Sequence, residues 1–376
     1  MVKPFITNGN KIDYVGNKIF QRVQDILNKD YSREEFENRV HSLIENNYWE
    51  NIAKINDRIF ISASQYFNEL GALFTLVPLT TRMISSPGAV YGKEAINYTT
   101  DTSPITLKWF ELENNAFLSE SSQIYLELAL LQKNITQTYS IYNSFRKEEA
   151  DVTHLSEFHH IEYEGNVNQI ENQKIAFEMI KKIINDLIEF NLDDLRVFLY
   201  EEDISELGKI GKQKEMKIIT FQEALNTLYE DTKDEKYKNF SLENFGSWEE
   251  VRITEIYGGI VGIREFPLLE VPFYHAMVDN SQPKVADCLD IIWPGYREIL
   301  GCGHRVRNIE ELEEKAKLFN LPKEDYFPYL QSRQYKKYKT SSGFGLGWER
   351  LVQGILKLPY IWSASQFPRV DKTLKP

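Results

Sequence analysis

The chain has 376 residues, 42% of them hydrophobic and 13% aromatic, so it is long enough to bury a large core. Its formal net charge is −12, which argues against DNA or RNA binding through bulk positive charge but leaves a local basic patch open. The only two cysteines, Cys288 and Cys302, exclude a disulfide scaffold and favour a reducing compartment. No signal-peptide pattern and no run of about 18 apolar residues occurs, so we expect a cytoplasmic protein that does not enter a membrane.

The first fifty residues are polar and mixed in pattern. Residues 18–46 carry apolar side chains on one helical face, so we predict a helical N-terminal extension over residues 1–50. Residues 52–70 form a second amphipathic pattern that ends at Gly71, and a short buried strand is expected to follow and to end at Pro78. No run of five short strands occurs here, so a nucleic-acid-binding β-barrel is not expected at the N-terminus.

The middle of the chain predicts paired strands and one long helix. Residues 136–148 and 157–164 have strand character, and the short polar link between them favours an antiparallel pair. Residues 168–189 form a strongly amphipathic helix. Residues 201–245 are charged and irregular, which indicates a peripheral insertion, and residues 251–274 are expected to return to strands.

The C-terminal third predicts a hairpin over residues 286–303, a helix over 309–318, and a strand rich in glycine over 343–347. A further helix begins at about Trp348. Antiparallel strands mixed with helices, without β–α–β alternation, predict an α+β fold.

One candidate site joins the two middle strands. Arg146 and Glu148 lie on the same face of a strand, and His154 and Phe158 follow after the short link. Such an Arg–Glu pair is most often a surface ion pair of little energetic value. Its functional interpretation is an arginine on a phosphate, a carboxylate accepting from an amine and a ring for stacking, the groups that an adenine nucleotide needs.

A second candidate site lies at the C-terminal hairpin. Asp290 and Glu298 flank a tight Pro-Gly turn, so their carboxylates can converge and hold Mg²⁺ that carries substrate phosphates. The alternative is two solvated acids. Gly301 and Gly303 leave space for a ligand in front of Arg305, which suits a carboxylate or amide oxygen.

Four motifs occur in a fixed order: FRKE, HLSEFHHIEYEG, GYREILGCGHR, and SGFGLGWERL with a terminal FPR. In this order the chain resembles the catalytic domain of class II aminoacyl-tRNA synthetases, most closely the asparaginyl members of the aspartate/asparagine group. The resemblance covers residues 52–370, and we assign residues 51–376 to that domain. It implies a mixed, mostly antiparallel sheet flanked by helices, and a homodimer formed through the helix that ends at Gly71 and the strand that ends at Pro78.

The resemblance also implies an ATP site. Arg146 would bind the α-phosphate, His154 the terminal phosphates and Arg350 the γ-phosphate. Glu148 would meet the adenine amino group, and Phe158 would stack under the ring. Asp290 and Glu298 would hold Mg²⁺.

For the amino acid, the stretch LSESSQIYLE resembles the LTQSxQxYLE segment of the family. Gln123 would contact the substrate amino acid, and Arg305 would meet its side chain. Aspartyl enzymes carry a lysine where this chain has Leu126, followed by Glu127, so an amide fits better than a carboxylate. Departures from the family pattern include Glu120 in place of glutamine.

We therefore expect an ATP- and Mg²⁺-dependent ligase that forms an aminoacyl-adenylate from asparagine, aspartate or a close analogue. Because the anticodon-binding barrel was not found, transfer to a non-tRNA acceptor such as ammonia, an amine or a peptide is the first expectation. The alternatives are a tRNA ligase without the usual barrel and a non-catalytic regulatory paralogue. The joint presence of the phosphate-binding and metal-binding residues counts against the last.

Overall fold

A computed structural model describes residues 5–14, 38–45, 47–86, 103–147, 153–370 and 374. Glu148 and most of the helix expected over 18–46 lie outside these residues. The α-helices are α1 (Arg39–Glu45), α2 (Tyr48–Leu70), α3 (Gln123–Ala129), α4 (Gln169–Phe190), α5 (Leu192–Leu195), α6 (Glu201–Gly211), α7 (Phe221–Thr232), α8 (Ser247–Tyr257), α9 (Ile309–Leu318), α10 (Lys323–Gln331) and α11 (Trp348–Leu356). The strands are β1 (Phe5–Asn8), β2 (Lys11–Tyr14), β3 (Leu73–Phe74), β4 (Thr80–Thr81), β5 (Thr106–Leu107), β6 (Ala116–Leu118), β7 (Gln137–Phe145), β8 (Glu157–Gly165), β9 (Lys217–Thr220), β10 (Val261–Arg264), β11 (Cys288–Ile292), β12 (Glu298–His304) and β13 (Ser342–Gly347).

Eight strands form the main sheet, in the order β3-β7-β8-β13-β12-β11-β10-β9. Its central pairs are antiparallel, and only the outer pairs β3–β7 and β9–β10 are parallel. β1 pairs with β2, and β4, β5 and β6 form a small separate sheet. The predicted α+β fold with a mostly antiparallel sheet flanked by helices is confirmed.

The two faces of the central strands differ in composition because side chains alternate along a strand. Leu300 and Cys302 of β12, with Phe344 and Leu346 of β13, point into the main core. That core is shared with the buried faces of α2 and α4. The opposite face of these strands carries mainly glycine. One side of the sheet is therefore packed against helices, and the other side is left open for a ligand.

Local sequence signals explain the two core helices. The helix α2 ends at Gly71, whose φ of 82° is left-handed and favours glycine. The helix α4 begins after Asn168, whose side chain accepts a hydrogen bond from the Glu171 backbone at 2.9 Å while the Glu171 carboxylate accepts from the Asn168 backbone at 3.2 Å. Both boundaries agree with those predicted from the sequence.

Three expectations need correction. The strand after Gly71 is only two residues long and is not buried, since Leu73 and Phe74 are 52% and 50% exposed. Residues 201–245 are more than a peripheral insertion, because β9 extends the main sheet beside β10. Residues 251–274 contain the second half of α8 and a single strand rather than several strands. The buried residues of α8, among them Val251 and Thr254, have helical spacing, and the helix ends at Gly258 in the left-handed region.

The N-terminal residues also differ from the helical expectation. Residues 5–14 form the hairpin β1–β2, so a wholly helical extension over residues 1–50 is wrong, although α1 is helical. The Phe5 ring contacts the Tyr296 ring edge-on, with 5.0 Å between centroids. Trp248 donates from Nε1 to the Gly9 carbonyl at 2.9 Å. The hairpin thus packs on the larger body of the protein.

No helix among the described residues is both long enough and apolar enough to cross a lipid bilayer.

Candidate active site

A floor of glycines lies at the centre of the open face of the sheet. Gly301 pairs with Gly345 across β12 and β13, and Gly303 pairs with Gly343. Several of the polar side chains that line the site lie directly over these glycines. We call Gly301, Gly303, Gly343 and Gly345 the glycine floor. Residues with a Cβ at these positions would fill the space that those side chains occupy.

The two predicted metal ligands converge over one of these glycines. A Cβ on Gly301 would lie 2.9 Å from Glu298 Oε1 and 3.2 Å from Asp290 Oδ1. Asp290 faces Gly301 in register because β11 pairs with β12. The predicted convergence across the Pro-Gly turn is therefore present in the structure.

The electrostatics at this pair favour a cation. Burial raises the pKa of Asp290 well above its ordinary value, and the nearby carboxylates of Glu298 and Glu250 raise it further. Concentrated negative charge of this kind is relieved by a divalent cation. Carboxylate oxygens are the ligands that Mg²⁺ prefers, usually together with substrate phosphates. The donor set therefore fits Mg²⁺, although no group of three or more metal-ligating side chains occurs among the residues that the structure describes.

The groups predicted to bind ATP lie next to this pair. The Arg146 guanidinium lies 5.2 Å from the centroid of the Phe158 ring. Arg350 donates from Nη1 to the Glu298 carbonyl at 2.9 Å and from Nε to the Thr153 carbonyl at 3.3 Å. These two hydrogen bonds hold the Arg350 side chain at the site. Arg350 lies in the first turn of α11, where its position after the glycine-rich strand predicts it.

The predicted amino-acid contacts form a separate buried cluster. Arg305 is 1% exposed and donates to both carboxylate oxygens of Glu164, with N–O distances of 2.8 to 3.2 Å. Gln123 donates from Nε2 to the same carboxylate at 2.6 Å and to the Tyr163 carbonyl at 2.7 Å. A Cβ on Gly343 would lie 2.0 Å from Glu164 Oε2, so only glycine fits beneath this cluster.

Two more acids lie at the same end of the site. Burial raises the pKa of Glu162 to about 7, although Ser121 donates to its Oε1 at 2.6 Å. Burial also raises the pKa of Glu120 to about 7. Glu162 stands over Gly345, whose Cβ would lie 3.3 Å from Oε1. Its Oε2 atom is buried and has no hydrogen-bond partner among the described residues.

These groups border two adjoining cavities. The larger, of about 330 Å³, is within the usual range for small-molecule sites, and the smaller is about 70 Å³. Every predicted site residue that the structure describes lines at least one of them, and those residues are Gln123, Arg146, His154, Phe158, Asp290, Glu298, Arg305 and Arg350. Motifs far apart in sequence thus meet on one face of the sheet.

Comparison with known proteins agrees with this arrangement. The family model described as tRNA synthetases class II (D, K and N) matches residues 32–371. The chain belongs to this family. As a class II synthetase it is an ATP-dependent ligase, and ATP with Mg²⁺ is general to the family.

Individual synthetases are similar over most of the chain. An asparagine–tRNA ligase of Koribacter versatilis is 28% identical over 98% of this chain and 80% of its own length. The asparaginyl-tRNA synthetase of Pyrococcus horikoshii superposes with a TM-score of 0.77 at 26% identity, covering 92% of this chain and 73% of that chain. The same enzyme complexed with asparaginyl-adenylate gives a TM-score of 0.80 at 24% identity, over 97% and 79% of the two chains. These relatives are tRNA ligases, which favours the tRNA-ligase alternative over the non-tRNA acceptor expected from the sequence.

The synthetase site also contains residues that the motifs did not single out. Arg297 donates from Nη1 to His154 Nε2 at 3.0 Å and from Nε to Glu250 Oε2 at 2.9 Å. It therefore links the segment around His154 to α8, next to the carboxylates of Asp290 and Glu298. Its place directly before Glu298 was a usable signal, whereas Glu250 lies in a helix whose pattern gave no sign of the site.

Proposed function

We propose that the protein activates asparagine with ATP to form asparaginyl-adenylate and then transfers the asparaginyl group to tRNA. The observation that carries the choice of amino acid is the Arg305–Glu164 pair. The positive charge of Arg305, which is expected to meet the substrate side chain, is already neutralised by the buried carboxylate of Glu164. An uncharged substrate amide therefore suits this end of the site better than a second carboxylate. Leu126, where an aspartyl enzyme would offer a lysine, is fully buried and brings no positive charge.

At the nucleotide end, the proposal assigns the adenine ring to Phe158 and the α-phosphate to Arg146. His154 and Arg350 bind the terminal phosphates. The position of Arg146 beside the Phe158 ring supports this division, because only the ribose separates the base from the α-phosphate in a nucleotide. Glu148, assigned to the adenine amino group, belongs to the same proposal but lies outside the described residues.

Asp290 and Glu298 would hold Mg²⁺, which neutralises phosphate charge when bound. Their convergence over Gly301 supports this role. Arg297 orients His154 toward the same region through the 3.0 Å contact between their side chains.

The amino acid lies with its side chain toward Gln123 and Arg305, and its ammonium group is assigned to Glu162. Glu162 lines the larger cavity, and a carboxylate is a suitable partner for an ammonium. This arrangement points the substrate carboxylate at the α-phosphate held by Arg146. The substrate oxygen bonds to phosphorus, the bond to the bridging oxygen breaks, and pyrophosphate leaves.

In this reaction the chain contributes position and charge rather than covalent chemistry. Aligned reactants and preorganised cations account for large rate enhancements in phosphoryl and nucleotidyl transfer. Arg146 directly follows β7 and Arg350 lies in the first turn of α11, so both cations are held by regular elements when charge develops.

A homodimer is part of the proposal. Apolar side chains on α2, in β3 and just after β3 are exposed in the single chain: Phe60, Ile61, Leu73, Phe74 and Leu76. Exposed large apolar side chains that are grouped in one part of the chain are typical of an interface. The resemblance to synthetases assigns the same segment to contacts with a second copy.

The test is amino-acid-dependent exchange between ATP and labelled pyrophosphate across all twenty amino acids, followed by charging of total tRNA. Exchange that depends on asparagine, with stable asparaginyl-tRNA as product, is the expected result. Absence of exchange with every amino acid would refute adenylation. Exchange with asparagine but release of product only with ammonia or amines would refute the tRNA acceptor.

A further inference from the structure

His275, to which no sequence motif assigned a role, stands inside the candidate site. Its ring lies over Gly303 of the glycine floor, where a Cβ would come within 2.8 Å of both Cε1 and Nε2. The residue is 9% exposed and lines the same cavity as Glu162 and Arg305. Glycine at position 303 is therefore what admits the imidazole to the floor of the site.

The neighbours of His275 place it beside the amino-acid end of the site. It pairs with Arg305 in an isolated antiparallel bridge, and its carbonyl accepts a hydrogen bond from Lys315 Nζ. The Tyr274 ring contacts the imidazole edge-on at 5.2 Å between centroids, and Arg305 lies 4.9 Å over that same tyrosine ring. Backbone and ring contacts together hold the imidazole next to the guanidinium.

The imidazole has unused hydrogen-bonding capacity. Its Nδ1 is buried and has no partner among the described residues, while the Cε1–Nε2 edge faces the cavity floor. Burial, then the charges of Arg305 and Lys315, lower the pKa of His275 well below its ordinary value, so the ring is neutral. A neutral imidazole donates one hydrogen bond and accepts one. A buried polar group without a hydrogen-bond partner lowers the stability of the fold unless a bound ligand or water supplies the partner.

We propose that His275 is a specificity-determining residue whose ring accepts a hydrogen bond from the side-chain amide of the asparagine substrate. The inference rests on the proposed asparagine activation. The amide offers two N–H donors and one carbonyl. Arg305 donates to the carbonyl, and His275 accepts from the NH₂ group.

The same ring disfavours aspartate. A carboxylate has no donor at this position and would set its lone pairs against that of the ring nitrogen. The repulsion is relieved if the imidazole takes up a second proton, which the adjacent Arg305 and Lys315 oppose, or if its single N–H moves to the nitrogen that faces the substrate. Selectivity for asparagine over aspartate thus comes from repulsion of the aspartate carboxylate as well as from the hydrogen bond to the asparagine amide.

The experiment compares two variants. His275→Met introduces an apolar side chain of similar length, and His275→Gln keeps one hydrogen-bond donor and one acceptor. Pyrophosphate exchange is measured with asparagine and with aspartate at saturating ATP. We expect His275→Met to raise the KM for asparagine about tenfold and to reduce the asparagine-to-aspartate ratio of kcat/KM about tenfold, with the KM for ATP unchanged. His275→Gln should recover most of both effects, and His41→Met, at an exposed histidine of α1, should behave as the wild type.

An unchanged asparagine KM and an unchanged ratio in His275→Met would overturn the inference. Normal exchange with slow tRNA charging would also overturn it, because the ring would then act on the acceptor hydroxyl. If His275→Met does not fold, His275→Asn, whose amide is held closer to the backbone, should show the same loss of selectivity. A wild-type protein without asparagine-dependent exchange refutes the proposed function itself, a result distinguishable from either of these.

Discussion

Arg305 is held by Glu164 through N–O contacts of 2.8 to 3.2 Å at a point where neither side chain reaches bulk solvent. Gln123 shares the same carboxylate. The pair has no net charge, and removing either member leaves a buried charge without compensation. Under the proposed function, the charge balance of this contact favours an amide over a carboxylate substrate.

Glu164→Gln should shift the preference from asparagine toward aspartate. Arg305 would keep its positive charge and lose its partner, so a substrate carboxylate would take the place of Glu164. We expect kcat/KM for asparagine in pyrophosphate exchange to fall about tenfold or more, while that for aspartate rises. Glu313→Gln, at an exposed position of α9, is the matched control. Equal losses for both amino acids would show that Glu164 only supports the fold.

Gly301→Ala should weaken the use of Mg²⁺ without unfolding the protein. The added methyl group would lie 2.9 Å from Glu298 Oε1 and 3.2 Å from Asp290 Oδ1, so the two carboxylates must move apart. Exchange should then need several-fold more Mg²⁺ for half-maximal rate, with the melting temperature close to that of the wild type. The control is Gly259→Ala, where a Cβ meets nothing within 4 Å. An unchanged Mg²⁺ requirement would contradict the assigned metal pair.

Arg350→Ala should abolish exchange because it removes a cation that faces the phosphates. Loss of one preorganised charge contact in a transition state costs about 10² to 10³ in rate. Arg350→Lys should recover little, since the guanidinium donates to Thr153 and Glu298 from two different nitrogens. Circular dichroism and thermal melting check that the variant is folded. Near-wild-type exchange by a folded variant would exclude the phosphate role.

Activity should rise with pH through about 7 if Glu162 binds the substrate ammonium. Its pKa is raised to about 7 by burial, so the carboxyl is protonated below that pH and ionised above it, and only the ionised form pairs with an ammonium. The profile of kcat/KM for asparagine is expected to show this rise, and Glu162→Gln should flatten it and lower the plateau. Glu120, raised to a similar pKa, supplies the comparison, because Glu120→Gln should keep the rise if Glu162 causes it. A wild-type profile that is flat between pH 6 and about 8 would count against this assignment.

Residues close together in motifs could be placed from the sequence, and residues joined only by tertiary contacts could not. Asp290 and Glu298 were expected to converge because a tight turn separates them, and they do so over Gly301. Glu164 lies within a quoted motif, yet its role became clear only when Arg305 was found against it across the sheet. His275 gave no sequence signal at all, since a single histidine after an apolar run is as often a core residue.

The same distinction explains the errors in secondary structure. Leu73 and Phe74 read as a buried strand because they are apolar, but in the single chain they are about half exposed. An apolar sequence pattern indicates that a surface is covered, but it does not show whether the same chain or a second copy covers it. The sequence predicts strands over residues 251–274, whereas the structure has the second half of α8 there, which ends at the left-handed Gly258.

Leu76→Glu should convert a dimer into monomers. Leu76 is 88% exposed next to the exposed α2–β3 surface, so a charge there costs the isolated chain little but would be desolvated at an interface between copies. We expect the wild type to sediment as a dimer and the variant to sediment as a monomer. The melting temperature of the variant should equal that of wild-type protein diluted until it is monomeric. Ile170→Glu, at a position 79% exposed on α4, introduces the same charge elsewhere and should remain dimeric. A variant that is still dimeric would place the contact between copies on another surface.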